Sequence, residues 1–262
     1  VLALILALLT PNQYTSSALL QAKDASGTGM SKSTSSLAAL AGVNLGGGAA
    51  ADKNYLIIRT LTAVDFFYPF YSDDQFLIEL MAYKSFNSSS GELEIDSSIY
   101  DKADGSWVEG KPSLTDSHIV FVSNHLSILF NEDEKFITLS LKHHSPYVAH
   151  KWSKRVLSHL NEYFKLEDKR ESQDSLKYLR EKIVQTKIIE IKQVLAAMIQ
   201  DRTQKLMLSE ISEEYIVAVV DSPRFPEKKS EPKRSYIVIS GILIGFFLSL
   251  IYVVFRHLTK EA

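Results

Sequence analysis

The chain has 262 residues, of which 45% are hydrophobic and 23% are charged; 29 Lys and Arg face 31 Asp and Glu, for a net charge of −2. This near balance argues against a nucleic-acid binder, because phosphate neutralisation needs a net basic surface. Cysteine is absent, which excludes disulfides, thiolate metal sites and a cysteine nucleophile. The length allows one large domain or two small ones.

Apolar residues are concentrated at the two ends of the chain. Residues 235–255 carry no charge and are numerous enough to cross about 30 Å of hydrocarbon as a helix, so we predict a transmembrane helix there. Residues 1–9 are wholly apolar but too few to span a bilayer. We interpret them as the end of a truncated first transmembrane helix; the alternative is the tail of a signal peptide.

The first half of the chain between these ends mixes predicted loops with one strand and one helix. Residues 14–21 alternate in part and predict a strand leading away from the membrane. Residues 23–51 hold six of the eleven glycines and predict a loop. Apolar residues at helical spacing predict a helix over 52–70, ending near Pro69. Residues 87–112 are again predicted to be loop-like.

Clear strand signals surround the start of the helical region. Residues 127–131 and 136–142 alternate with period two on either side of a polar turn, which predicts an antiparallel hairpin. Ser145 followed by Pro146 is typical of an N-cap and a first helical residue. The β-branched run at 214–220 predicts another strand, returning toward the membrane.

A long region without Gly or Pro follows Pro146 and ends at Pro223. Its good helix formers predict a helix over 146–166 and a second over 172–209, the latter reaching nearly 60 Å. A short apolar seam in the second helix favours helix-on-helix packing, within or between subunits. The seam residues are Val184, Ile188, Ile191, Leu195 and Met198.

The string from Gly27 to Thr34 is similar to a phosphate loop but lacks its essential glycines. A phosphate loop needs Gly directly before its Lys and another Gly five residues earlier, so that backbone N–H groups surround the phosphate. Ser31 and Ser26 occupy those positions. We therefore interpret the string as an ordinary loop and predict no cofactor.

No catalytic or metal-binding pattern is present in the sequence. His143, His144 and His150 are close in sequence, but no Asp or Glu lies beside them to complete a zinc site, so we predict no metal. Neither the Gly-x-Ser-x-Gly motif of esterases nor the His-Glu-x-x-His motif of metalloproteases occurs. We predict a protein that is not an enzyme.

Residues 222–234 form a proline-rich segment directly before the predicted membrane helix, and we call this segment the connector. Prolines restrict φ at their own position and disfavour helix at the preceding residue, so the segment is predicted to be a stiff link; the alternative is a generic linker. The connector residues singled out are Pro223, Pro226, Pro232 and Lys233.

Small residues lie on one face of the predicted membrane helix. Gly241 and Gly245 form a Gly-x-x-x-Gly pair, and Ser249 extends the same face. Such spacing lets two helices approach closely in lipid, so these three residues are predicted to pack against another helix.

The order of these parts resembles the polysaccharide chain-length determinants, the Wzz-type polysaccharide co-polymerases. Four stretches carry the resemblance: residues 11–20 (PNQYTSSALL), residues 37–48 (LAALAGVNLGGG), residues 142–149 (KHHSPYVA) and the connector. The resemblance implies an α+β fold with a membrane-proximal α/β base and a long extended helix, bracketed by two transmembrane helices. The connector prolines, Lys233 and the two membrane-helix glycines match the family by position.

The resemblance also implies a domain order and a function. The expected order is the first membrane helix at 1–9, a periplasmic chain-length determinant domain at 10–221 with its long helical region at 146–210, the connector, the second membrane helix at 235–255 and a cytoplasmic tail at 256–262. The expected function is non-enzymatic regulation of the modal length of O-antigen in lipopolysaccharide biosynthesis, at the bacterial inner membrane. The expected partners are further copies of the chain in a homo-oligomeric ring, an inner-membrane polysaccharide polymerase, lipid-linked polysaccharide and the bilayer, with no nucleic acid.

The distribution of basic residues around the second predicted membrane helix conflicts with a periplasmic main domain. Five basic residues precede the helix at 235–255 and two follow it, which by the positive-inside rule would place the main domain in the cytoplasm. We keep the periplasmic placement because long domains translocate largely regardless of charge. Two other functions stay open: a periplasmic adaptor or structural subunit of a polysaccharide export complex, and a nucleotide-dependent membrane protein that uses the loop from Gly27 to Thr34.

Overall fold

The computed structural model describes residues 10–23, 49–87, 90–236 and 238–243, together with 245 and 247. The predicted membrane segment at 1–9 and most of the predicted loop at 23–51 lie outside these residues. In chain order the elements are β1 (Tyr14–Ala22), α1 (Ala49–Leu61), α2 (Val64–Tyr71), α3 (Asp74–Met81), β2 (Tyr83–Asn87), β3 (Glu92–Ile95), β4 (Tyr100–Asp101), β5 (Ser106–Trp107), α4 (Leu114–Val120), a π-helical turn (Phe121–His125), β6 (Leu126–Asn131), β7 (Phe136–His143), α5 (Pro146–Gln185), α6 (Ile189–Ile211) and β8 (Val217–Asp221).

A four-stranded antiparallel sheet forms the base of the molecule, in the order β6-β7-β1-β8. The hairpin predicted from period-two alternation is confirmed as β6 and β7, and every second residue of β7 is buried. The strands predicted near each end of the external chain are confirmed as β1 and β8, which pair with each other along part of their length. This mixture of sheet and long helices is the predicted α+β class.

The predicted helix over 52–70 is two helices, α1 and α2, and the prediction of one continuous helix is wrong. Ala63 between them is extended, with φ −81° and ψ 145°. The break turns α2 so that Phe66, Phe67 and Phe70 enter the core. Pro69, expected near the end of the helix, lies inside α2.

Residues 87–112, predicted to be loop-like, contain parts of two small hairpins, β2–β3 and β4–β5. Both turn at glycine in the left-handed region, Gly91 with φ +72° and Gly105 with φ +63°. The short strands carry mostly exposed or half-buried side chains, so the apolar alternation that identifies a strand is weak there.

The long helical region breaks at a different place from the one predicted. A single 40-residue helix, α5, runs through the charged residues 166–172, where the prediction placed a gap, and the chain turns at 186–188. Thr186 and Ile188 are extended and β-branched, whereas Glu, Lys and Arg around residue 169 are good helix formers and face solvent. The predicted seam from Val184 to Met198 is therefore interrupted.

Helices α5 and α6 form an antiparallel hairpin. The ion pairs Lys169–Glu210 at 3.2 Å and Arg202–Glu171 at 3.0 Å join the two helices. Tyr215, just after α6, donates to a carboxylate oxygen of Asp168 at 2.6 Å. At 1.5 Å per residue α5 is about 60 Å long.

The direction of α5 relative to the sheet follows from contacts at two points. Near its start, His144 Nδ1 lies 2.9 Å from the carbonyl oxygen of Asn12, which precedes β1. One-third of the way along it, Asn161 accepts hydrogen bonds from the backbone at 215–217, and Val217 pairs with Ala22 at the far end of β1. Helix α5 therefore runs from the β1 start to the β1 end and continues beyond the sheet.

The core lies between the sheet and the first half of α5, closed by α1–α4. Helix α5 packs on β1 and β7, and Trp152 is completely buried against Phe76 and Phe121. Its indole N–H donates to Glu79 at 3.0 Å, and Lys151 donates to the other oxygen of that carboxylate at 2.5 Å. The carboxylate of Glu79 is thus buried with both oxygens bonded.

Candidate functional site: the junction of the connector and the base

The connector leaves β8 and lies along the base rather than extending freely. Pro223 is buried, and Pro226 and Pro232 are half-buried. The Ser16 hydroxyl donates to the carbonyl oxygen of Arg224 at 2.9 Å, tying the connector to β1. The prolines predicted to stiffen the connector are therefore partly or fully shielded from solvent.

An aromatic contact fixes the middle of the connector to the start of α5. The ring of Phe225 lies 5.0 Å from that of Tyr147 and 6.1 Å from that of His150. Because both partners belong to the first turns of α5, the connector docks on the same end of the helix that contacts Asn12. The sequence indicates a proline-rich link but not this aromatic contact.

The end of the connector pairs with the residues that lead into β1. Gln13 N–H donates to the carbonyl oxygen of Glu231 at 2.8 Å, and Ser230 N–H donates to the carbonyl oxygen of Gln13 at 2.8 Å. The hydroxyls of Thr15 and Ser230 are 2.7 Å apart. The first and last parts of the described external chain are thus hydrogen-bonded to each other.

Charged side chains surround this junction. Lys142 on β7 forms an ion pair with Glu231 at 2.6 Å. Lys229 Nζ and Arg234 Nη2 approach the same acceptor, Asn12 Oδ1, at 3.3 and 3.4 Å. Lys233, singled out from the sequence, is exposed, with its ammonium 5.8 Å from the ring centroid of Tyr236. Two connector cations therefore converge on one neutral oxygen.

A cavity of about 440 Å³ opens at the same junction. One wall comes from the segment before β1 and the other from the connector and the residues after it. The lining residues are Thr10, Pro11, Gln13, Glu231, Pro232, Lys233 and Tyr236. Two of the four connector residues predicted from the sequence, Pro232 and Lys233, thus line a cavity, which the sequence did not indicate.

The chain turns helical where the connector ends, at residues 234–236 and 238–243. Gly241 is half-buried, and a Cβ added at Gly245 would meet nothing within 4 Å. Ser249 lies outside the described residues, so the packing predicted for these three small residues stays a prediction. Within the part of the chain that the structure describes, no helix is long and apolar enough to cross a membrane.

His125, His143 and His144 are buried together, next to the start of β6 and the end of β7. His143 Nε2 donates to the carbonyl oxygen of Glu79 at 3.0 Å, and Nδ1 accepts from Ser145 N–H at 3.0 Å. The ring of His125 stacks on His143 at 5.6 Å, and both rings contact Trp152. Each ring nitrogen of His143 is thus committed to a backbone partner.

Burial controls the protonation of these two histidines. It lowers the pKa of His125 to about 4 and that of His143 to about 3, with the neighbouring histidine adding to the effect at His143. Both rings are therefore neutral near pH 7. Among the described residues no group of three or more His, Asp or Glu side chains could hold a metal ion. The arrangement fits a structural role at the β7–α5 connection.

Two sequence candidates fall outside the structure. The phosphate-loop-like string at 27–34 and the glycine-rich stretch at 37–48 both lie in residues 24–48, which are not described. Of the four stretches that carry the resemblance, residues 11–20, residues 142–149 and the connector lie within the described residues.

Comparison with known proteins adds a family match over the C-terminal third. A family described as "G-rich domain on putative tyrosine kinase" matches residues 172–258. The match includes the last part of α5, all of α6, β8, the connector and the whole predicted membrane helix at 235–255. No curated protein matches the chain. The chain resembles the Wzz-type polysaccharide co-polymerases. The resemblance predicted from the sequence is confirmed.

Two solved structures are similar at low identity. One is a full-length bacterial polysaccharide co-polymerase with 13% identity and a TM-score of 0.33, covering 100% of this chain and 92% of that chain. The other is a fragment of WzzB, a polysaccharide co-polymerase from Salmonella Typhimurium, with 12% identity and a TM-score of 0.32, covering 84% of this chain and 100% of that chain.

Proposed function

We propose that the chain is a polysaccharide co-polymerase that sets the modal length of O-antigen or a related surface polysaccharide without catalysing a reaction itself. The observation that carries the proposal is the pairing of Gln13 with Glu231 at one edge of the sheet, which joins the residues just after the first predicted membrane segment to the residues just before the second. Helix α5 leaves from that edge and runs past the opposite one. This arrangement suits a domain that stands on a membrane and extends a helical hairpin away from it.

The proposal places the domain at 10–221 in the periplasm, with the end of a truncated first membrane helix at 1–9 and a second membrane helix at 235–255. A connector bound to the base supports membrane anchoring, because a rigid connection transmits the orientation of a membrane helix to the domain, whereas the periplasmic side follows from the family resemblance. The proposed partners are the inner-membrane polymerase and its lipid-linked polysaccharide.

The proposal also includes assembly of several copies into a ring. Support comes from the outer half of the helical hairpin, where large apolar side chains face solvent in a single copy. They include Tyr178, Val184, Ile188, Ile189 and Ile191. Burying such side chains between copies would be favourable by about 25 cal/mol per Å² of apolar surface removed from water.

The function is tested by deleting the gene and separating lipopolysaccharide by gel electrophoresis. We expect the modal band to be replaced by a broad distribution, and the intact gene to restore it. Replacing Pro223, Pro226 and Pro232 together by alanine should weaken restoration at equal protein level. The control is Pro112→Ala, outside the connector. An unchanged modal band in the deletion strain would contradict the function.

The placement is tested separately by thiol labelling. Because the native chain has no cysteine, only an introduced cysteine can be labelled. Ser97→Cys lies in an exposed turn of the base, and Thr259→Cys lies in the predicted cytoplasmic tail. A membrane-impermeant maleimide should label Ser97→Cys in cells whose outer membrane is permeabilised, and Thr259→Cys only after lysis. The reverse pattern would overturn the periplasmic placement.

A further inference from the structure

The two cations that meet at Asn12 form an unusual electrostatic arrangement. Lys229 and Arg234 each approach Asn12 Oδ1, so two positive charges are held close together by one neutral acceptor. Like charges at such proximity repel, and an amide oxygen offsets less of this repulsion than a carboxylate does. The site therefore favours an anion that both cations can contact.

Neither cation has a carboxylate partner among the described residues. Glu231 is paired with Lys142, Asp221 is paired with Arg224, and the exposed Glu227 forms no ion pair with either cation in the described structure. The Nε atom of Arg234 is buried and has no hydrogen-bond partner in the described structure. Part of the hydrogen-bonding capacity of this guanidinium is thus unused.

The cavity at the junction is lined by sequence neighbours of this site, although Asn12, Lys229 and Arg234 are not themselves among the lining residues. Its walls include Pro11 and Gln13, the neighbours of Asn12, and Lys233, the neighbour of Arg234. Its volume of about 440 Å³ is within the range of small-molecule sites. The junction therefore combines space for a ligand with nearby positive charge.

The position of the cations along the chain indicates the source of the anion. Arg234 begins the helical residues at the end of the connector, directly before the predicted membrane helix. Tyr236 is the second residue of the predicted span, and tyrosine is enriched where membrane helices meet the headgroup layer. The basic residues that conflict with the positive-inside rule are thus grouped where lipid phosphates would lie.

We propose that Asn12, Lys229 and Arg234 bind the phosphate group of an anionic lipid headgroup at the membrane surface. The two cations donate charge-assisted hydrogen bonds to the phosphate oxygens, and the amide N–H₂ of Asn12 supplies a neutral donor once its side chain rotates. The bound lipid stabilises the docked position of the connector on the base. This inference rests on the membrane placement in the proposed function.

The test measures binding of a short-chain anionic lipid to the full chain in neutral detergent. Dihexanoyl phosphatidylglycerol is titrated by isothermal calorimetry, with dihexanoyl phosphatidylcholine as the zwitterionic comparison. We expect Lys229→Gln/Arg234→Gln to weaken phosphatidylglycerol binding about tenfold or more, because the double variant removes both charge-assisted hydrogen bonds to the phosphate. Phosphatidylcholine should bind weakly to both proteins.

The matched control is Lys177→Gln/Arg180→Gln, which removes one Lys and one Arg from the exposed surface of α5. It should bind phosphatidylglycerol as the unmodified chain does. Equal binding by all three proteins would overturn the proposal, and so would equal weakening in the control, which would indicate net charge alone. If inorganic phosphate at the same concentration as the lipid competes for the site, the ligand is free phosphate and the proposal of a lipid headgroup is wrong.

Failure of the lipid-binding proposal is distinguishable from failure of the proposed function. The deletion gel tests chain-length regulation without reference to Lys229 or Arg234, and the thiol labelling tests the placement. Calorimetry tests the site on the purified protein whatever polysaccharide the strain makes. Loss of binding in Lys229→Gln/Arg234→Gln therefore supports the site even where the deletion strain keeps its modal band.

Discussion

The two halves of α5 differ in how they are stabilised. In the first half, which lies on the sheet, the helix buries a side chain on nearly every turn, including Val148, Trp152, Val156, Leu160 and Phe164. In the second half the buried apolar residues are Leu176 and Leu179, and α6 buries only Ser209. The base is therefore stable by its own packing, whereas the distal hairpin exposes apolar surface that another copy could cover.

The largest loss of stability is expected from a substitution in the base, at Trp152. Trp152→Ala removes a completely buried indole and its hydrogen bond to Glu79, and should lower the free energy of unfolding by about 3–5 kcal/mol. Chemical denaturation of the full chain in detergent, followed by far-ultraviolet circular dichroism, measures this change.

Trp107→Ala is the control for tryptophan loss. Trp107 is half-buried and contacts Tyr100 in the small β4–β5 hairpin, so its removal should cost about 1 kcal/mol. Similar losses for both variants would show that the base is not the dominant source of stability.

The second effect concerns the point where α5 leaves the sheet. Asn161 Oδ1 accepts hydrogen bonds from the backbone N–H groups of Tyr215, Ile216 and Val217 at 2.9, 3.0 and 3.3 Å. Asn161→Ala leaves these buried donors unpaired and should cost about 2–4 kcal/mol. Asn161→Asp keeps an acceptor oxygen and should cost less. An Asp variant as unstable as the Ala variant would contradict this role.

The third effect is a pH dependence that arises in the base. The pKa values of His125 and His143, about 4 and about 3 in the folded protein, lie below the ordinary value of 6.5. As the pH falls, these two histidines therefore bind protons in the unfolded chain at a higher pH than in the folded protein. The stabilisation is complete above pH 6.5 and is lost as the pH falls to about 4 for His125 and to about 3 for His143, at up to about 1.4 kcal/mol per pH unit for each histidine.

The pH effect is measured by repeating the denaturation series from pH 7 to pH 4. We expect a flatter dependence in His125→Gln/His143→Gln than in the unmodified chain, since carboxylates contribute equally to both. Parallel curves for the two proteins would show that these histidines are not neutral in the folded state.

The smallest effect on stability is expected in the distal hairpin. Val184 and Ile189 are 82% and 68% exposed, so Val184→Ser/Ile189→Ser should change the free energy of unfolding by about 0.5 kcal/mol or less. Assembly should weaken instead, with a lower mass by light scattering coupled to size exclusion. Leu129→Ser, at a 67% exposed position on the base, is the control and should leave the mass unchanged. An unchanged mass for the hairpin variant would contradict assembly through this surface.

Local sequence patterns determined several elements directly. Period-two alternation determined β6 and β7, because a strand with one buried face requires it. The pair Ser145-Pro146 determined the start of α5, since proline suits the first turn of a helix. The break at 186–188 was missed because β-branched residues weaken a helix only slightly, whereas the charged residues near 169 were mistaken for a gap although they are good helix formers.

The sequence by itself thus determined the strands β1, β6, β7 and β8, the start of α5, the connector and the family resemblance. The tertiary structure alone decided that Asn12 meets Lys229 and Arg234, and that Gln13 pairs with Glu231. These partners are more than 200 residues apart, and no local pattern specifies which distant segments meet. Their contact depends on β1 lying between β7 and β8, an order that follows from burying the apolar faces of all the strands and of α5 together.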